Sequence, residues 1–168
     1  YQYYLESSKE LSSEGLTEFS SVVDWQKLLD DRRLIWNNKL LELLSDEEIA
    51  SSQIWTIVSE NAPSELIISN IFDHRNLWNW FRLSERLPFS FILEHANDYD
   101  WDFDALASRI GSHDIQCILE VLDDNNRISD WSQVTEMVTF KFLKENLRKY
   151  PWDFHLVTNE SISGTAQL

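Results

Sequence analysis

WNWFRLSERLPFSFILEHANDYDWDFDAL, residues 78–106, holds the pattern that decides the fold. The stretch opens on Trp78-Asn79-Trp80 and closes on Trp101-Asp102-Phe103, and a Leu follows three residues after each second ring, Leu83 and Leu106. The same arrangement, an aromatic residue, two variable residues and then Leu or Val, recurs outward as Trp25 with Leu28, Trp55 with Val58, Trp131 with Val134 and Phe154 with Val157. Successive anchors stand 30, 25, 23, 28 and 23 residues apart, an imperfect internal period. Asp or Asn precedes five of the six, as Asp24, Asn79, Asp102, Asp130 and Asp153, and Ile54 stands at the remaining place.

These positions fit helix starts. An Asp or Asn before the first helical residue accepts hydrogen bonds from the unpaired amides of the first turn. One residue earlier stand Val23, Trp78, Trp101 and Trp152, each five positions before the Leu or Val of its segment. That is the spacing of a hydrophobic staple across a helix start. Seven of the eight Trp are thereby placed, with Trp36 left over. Between the anchors the apolar spacing supplies a second helix. Phe89, Ile92 and Leu93 follow Pro88; Ile115, Ile118, Leu119 and Leu122 follow Asp114; Phe140, Leu143 and Leu147 follow Thr139; Leu66, Ile67, Ile71 and Phe72 follow Ser64. Leu40, Leu41, Leu43 and Leu44 cluster ahead of Ser45 and Glu48, spaced as a capping box.

Two short helices cannot bury their apolar faces alone, so the expectation is an all-α chain of tandem hairpins stacked as an α-solenoid-like array, with a compact globular helical bundle as the alternative. Over roughly residues 22–158 the pattern resembles degenerate helical repeats in general. Its period is shorter than the ~34 residues of tetratricopeptide repeats and the ~40 of HEAT repeats. Residues 1–21, where six Ser alternate with four Glu and Gly15 interrupts, read as a loosely ordered leader, and 159–168 as a flexible tail.

Composition agrees with helices. Among 168 residues, 3 Gly and 3 Pro leave little turn punctuation for a many-stranded sandwich and no Gly-rich phosphate loop. Eight Trp, 9 Phe and 5 Tyr demand a folded core. Fourteen Lys and Arg against 29 Asp and Glu give a formal charge of -15, a surface that repels nucleic acid and anionic lipid. The single Cys117 excludes an internal disulfide, which fits a reducing, cytoplasmic setting. No apolar run reaches the ~20 residues of a membrane span.

Three function classes follow. The first is a non-enzymatic scaffold that binds a protein partner through a helical-repeat surface, and it is the reading adopted, with no catalytic, cofactor-binding or metal residue assigned and no cofactor expected. The second is an acidic DNA mimic, carried by the charge. The third is a metal phosphohydrolase, since His74 followed by the pair His113-Asp114 in a helical chain resembles enzymes of the HD type. Asp114 has a simpler reading as a first-turn acid. Asp98, Asp100, Asp102 and Asp104 alternate like a calcium loop, but the sixth position holds Phe103 where Gly is needed and the twelfth Arg109 where Glu is needed. Cys117 sits in an apolar helical run and reads as an inert core thiol, His74 and His95 read as surface residues near helix ends, and His155 falls inside the last anchor segment. Residues 94–130 hold ten acids against Arg109 and Arg127, whereas 141–149 hold Lys141, Lys144, Arg148 and Lys149 against Glu145. Such asymmetry can orient a partner.

Overall fold

The computed structural model describes residues 1–156. Among these the chain forms twelve α-helices and no β-strand, so the all-α expectation holds. No described helix is long and apolar enough to cross a membrane. The chain divides into two compact units, one of residues Tyr1–Arg86 and one beginning at Leu87. The tail assigned to 159–168 lies outside the described residues.

The first unit holds α1 (Gln2–Ser7), α2 (Ser13–Thr17), α3 (Trp25–Leu28), α4 (Asn38–Leu44), α5 (Ser52–Asn61), α6 (Ser64–Ser69) and α7 (Trp80–Arg86). Its helices are too short to stand on propensity alone, and five of them begin on a side-chain cap that the sequence supplies locally, α2 on Ser12, which accepts from the Gly15 N–H. Asp24 accepts from the Lys27 N–H, Asn37 from Leu40, Ser51 from Ile54 and Asn79 from Arg82. The core gathers Leu40, Leu41 and Leu44 of α4, Trp55 and Val58 of α5, Ile67 of α6 and Leu83 of α7, all buried.

Residues 1–21 are not a loose leader. Leu11 and Leu16 are fully buried, and Leu11 exchanges backbone hydrogen bonds with the Arg33 carbonyl and the Ile35 N–H. Arg33 donates to the carbonyls of Leu5 and Ser8 while pairing with Asp31, and that pairing holds the Asp31 carboxyl below the usual carboxylate range. Gly15 lies inside α2 instead of ending a helix, and the Tyr4 phenol ring occupies the space a Cβ there would need. Ser45 is the C-cap of α4, its hydroxyl turned back to the Glu42 carbonyl, so it starts no helix.

The second unit holds α8 (Phe89–Glu94), α9 (Phe103–Ala107), α10 (Ser112–Val121), α11 (Trp131–Met137) and α12 (Phe140–Glu145), with 3₁₀ turns at Asn125–Arg127 and Phe154–Leu156. Asp102, Asp130 and Thr139 cap α9, α11 and α12 as their spacing predicts. Its core is built on Ile92, Trp101, Phe103, Leu106, Ile115, Ile118, Leu119 and Val134. The pattern misplaces three of its six anchors. Trp80 and Trp131 are only half-buried and Phe154 is exposed, whereas Trp78 and Trp152, each two residues before an anchor, are buried, as is Trp101 together with its anchor Phe103. Trp55 is the fourth residue of α5 and not the first, since Ser51 provides the cap; this accounts for Ile54 standing where an Asp or Asn was expected.

Trp101→Ala is therefore expected to cost roughly 3–5 kcal/mol, more than Trp131→Ala, and Ser51→Ala about 0.5–2 kcal/mol. Urea melts followed by circular dichroism rank the three, and a Trp131→Ala loss equal to that of Trp101→Ala would contradict the burial difference.

Candidate functional site

The side chains that hold each unit together use one joint more than once. Trp101 at the start of α9 donates its indole N–H to the carbonyl of His95, the C-cap of α8, and Trp152 does the same to Asn146, the C-cap of α12. In the first unit Trp78 donates to the Ile71 carbonyl, one residue past the C-cap of α6, and Trp55 to the Leu44 carbonyl at the end of α4. A hydroxyl then fixes the next cap. Ser59 donates to the Trp55 carbonyl and accepts the Asn79 N–H, and Thr135 donates to Trp131 and accepts the Asp153 N–H. Buried carbonyls left at helix ends are met by arginines: Arg86 donates to Ser59 and Ala62, Arg109 to Leu87, and Arg127 to Ala96 and Tyr99. Burial lowers the pKa of all three guanidiniums from its ordinary value.

The residues that the sequence offers for chemistry do not converge. His74 lies between Trp55 and Trp78, with ring centroids 5.4 and 6.2 Å away, and burial lowers its pKa. His95 Nδ1 sits 2.8 Å from Asp98 Oδ2. His113 and Asp114 are adjacent in the first turn of α10, and His155 is exposed in the last 3₁₀ turn. No group of three His, Cys, Asp or Glu that could hold a metal is found among the described residues. Two of the four alternating acids serve helix starts: Asp102 accepts the Ala105 N–H, and Asp104 accepts the Asp130 N–H and the Ser129 hydroxyl.

Two features escaped the sequence reading. Cys117 is half-buried, and its Sγ lies 3.8 Å from His113 Nε2, a proximity signalled only by their spacing of four on α10. Apolar side chains also stand exposed in clusters with cations. Arg75 lies over the Phe72 ring at 4.3 Å and Arg82 over Phe81 at 5.3 Å in the first unit, while Phe140, Leu147 and Phe154 are exposed in the second. The first unit also has an open cleft of about 510 Å³ lined by Thr17, Ser20, Ser21, Trp25, Asp46 and Glu48. Trp25 Nε1 is buried there without a hydrogen-bond partner among the described residues, and Asp46 is engaged with the Glu48 N–H.

Comparison with known protein families, curated proteins and solved structures finds no match to this chain.

The surroundings of His74 set a pH dependence. Its folded pKa is below the ordinary 6.5, so the unfolded chain takes up the proton first as pH falls. Its contribution to stability is full above about pH 6.5 and is lost as pH descends through that value. Urea midpoints from pH 7.5 to 5 should fall, and His74→Phe should remove part of that slope; an unchanged slope would show that His74 titrates freely.

Proposed function

We propose that this chain is a non-enzymatic helical-repeat scaffold that binds a protein partner, its helix pairs stacked in tandem as an α-solenoid-like array. The observation that carries the reading is the recurring joint, in which an inward Trp closes the preceding helix and a hydroxyl from one helix fixes the cap of a later one. Nearest-neighbour joints of this kind suit an architecture in which each element leans on the next and leaves one face free for a partner.

The distribution of charge favours a protein partner over the DNA-mimic reading. Asp102, Asp104, Asp124 and Asp130 bond backbone N–H groups, so these carboxylates are oriented toward helix starts and not displayed as a phosphate-like row. Arg33, Arg86, Arg109 and Arg127 likewise bond backbone carbonyls, which leaves the surface acidic with isolated aromatic and basic spots. Exposed rings such as Phe72 and Phe81 are the kind of side chain that anchors a protein interface.

Two measurements test the proposal. Small-angle scattering is expected to give a radius of gyration clearly above the ~15 Å of compact-domain scaling at this length. Capture from native extract with the chain as bait should retain a protein that Phe72→Ser and Phe81→Ser together, or substitutions on another exposed face, release. A compact particle that retains nothing would overturn the scaffold reading. Saturable melting stabilisation by Mn, Fe, Zn or Mg that His113→Ala abolishes would instead favour a metal enzyme.

A further inference from the structure

The second unit contains two copies of one surface, and among the described residues only the first copy is covered. Residues 87–103 and 138–154 align without gaps, with identical residues at Phe89 and Phe140, Phe91 and Phe142, Glu94 and Glu145, Tyr99 and Tyr150, Trp101 and Trp152, and Phe103 and Phe154. The structures correspond as well: α8 and α12 are each six residues long, and each has its C-cap carbonyl closed by the indole six residues later.

On the first copy a later segment of the chain lies across the helix end. Asn97 donates to the Val121 carbonyl and accepts the Asp123 N–H, and Arg127 bonds the Ala96 and Tyr99 carbonyls with its guanidinium 4.7 Å from the Phe103 ring. Ala96 and Phe103 are both 2 % exposed as a result. On the second copy their counterparts Leu147 and Phe154 are 49 % and 52 % exposed. The covering segment of the first copy, Val121-Leu122-Asp123-Asp124, is apolar and acidic.

Four positions have changed in one direction between the copies. Ser90, Leu93, Asn97 and Asp98 of the first correspond to Lys141, Lys144, Arg148 and Lys149 of the second. All four cations are exposed, and none forms an ion pair among the described residues; Lys149 rests 5.4 Å from the Tyr150 ring. In a chain of net charge -15 this is a local basic rim around two exposed apolar side chains. A rim of one sign around an apolar centre selects a partner of opposite charge and guides its approach.

We propose that the face formed by Lys144, Leu147, Arg148, Lys149 and Phe154 docks an acidic protein segment carrying apolar side chains, laid across it as Val121–Asp124 lies across the first copy. The inference rests on the scaffold reading and names the partner chemistry of one of its surfaces. Leu147 and Phe154 would take the apolar anchors, and Arg148 and Lys149 the carboxylates, in place of the Asn97 amide that holds backbone in the covered copy.

The test uses the full chain and a fluorescein-labelled peptide of sequence LEVLDDNN, which copies residues 119–126. Fluorescence anisotropy at 50 mM salt should show saturable binding, weakened about tenfold by the double variant R148E/K149E, by L147S, and by raising the salt to 300 mM. Because these residues are exposed, circular dichroism melts of the variants should match the parent, and Lys144→Glu provides a second charge reversal on the same rim. No binding up to millimolar peptide, equal binding by parent and R148E/K149E, or tighter binding of phosphatidylserine vesicles or single-stranded DNA than of the peptide would each overturn the proposal. An extract partner that R148E/K149E retains as well as the parent would also sink this surface while leaving the scaffold reading intact.

Discussion

The indole N–H that closes the end of a preceding helix is the interaction on which the rest depends. An α-helix leaves four N–H groups unpaired at its start and four carbonyls at its end. In helices of four to ten residues, such as α3 and α5, most backbone groups are therefore end groups. Isolated helices of this length are marginal in water, and an unpaired buried carbonyl costs on the order of 1–3 kcal/mol. A Trp solves both problems at once, since its rings supply apolar area and its single donor reaches the orphan acceptor. Trp55, Trp101 and Trp152 do this at the ends of α4, α8 and α12.

The same constraint accounts for where the cations go. A guanidinium presents several donors in a planar fork, so one arginine satisfies two carbonyls that a lysine would meet singly. Arg86 and Arg127 each do so inside their own unit, and the cost of burying the charge is visible in their lowered pKa values. Four of the remaining basic side chains, Lys141, Lys144, Arg148 and Lys149, stand together on and just after α12.

What the sequence discloses follows from how local each interaction is. Asp24, Asn79, Asp102 and Asp130 could be read as caps because a cap and the N–H it bonds are three residues apart. Which ring of Trp78-Asn79-Trp80 turns inward could not, because it depends on the Ile71 carbonyl and on the Trp55 ring 5.0 Å away, set by another helix. Residues 1–21 were hidden by their Ser and Glu content, since the contacts that order them come from Arg33 and Ile35. The candidate surface was half legible: its charge stands in residues 141–149, whereas the exposure of Leu147 and Phe154 has meaning only beside the covered Ala96 and Phe103.

The hydroxyl joints have a direction. Ser59 waits for the Asn79 N–H and Thr135 for the Asp153 N–H, in each case a partner later in the chain. During synthesis, at about 5–20 residues per second, a gap of roughly twenty residues takes on the order of one to four seconds to emerge. Until then the hydroxyl has the carbonyl of its own helix, Trp55 or Trp131, as its protein partner, and water for its remaining lone pairs. Each joint closes only from its C-terminal side, so a nascent chain settles from its beginning toward its end, and a ribosome pause shortly after Ser59 or Thr135 holds the newest helix without its neighbour's cap.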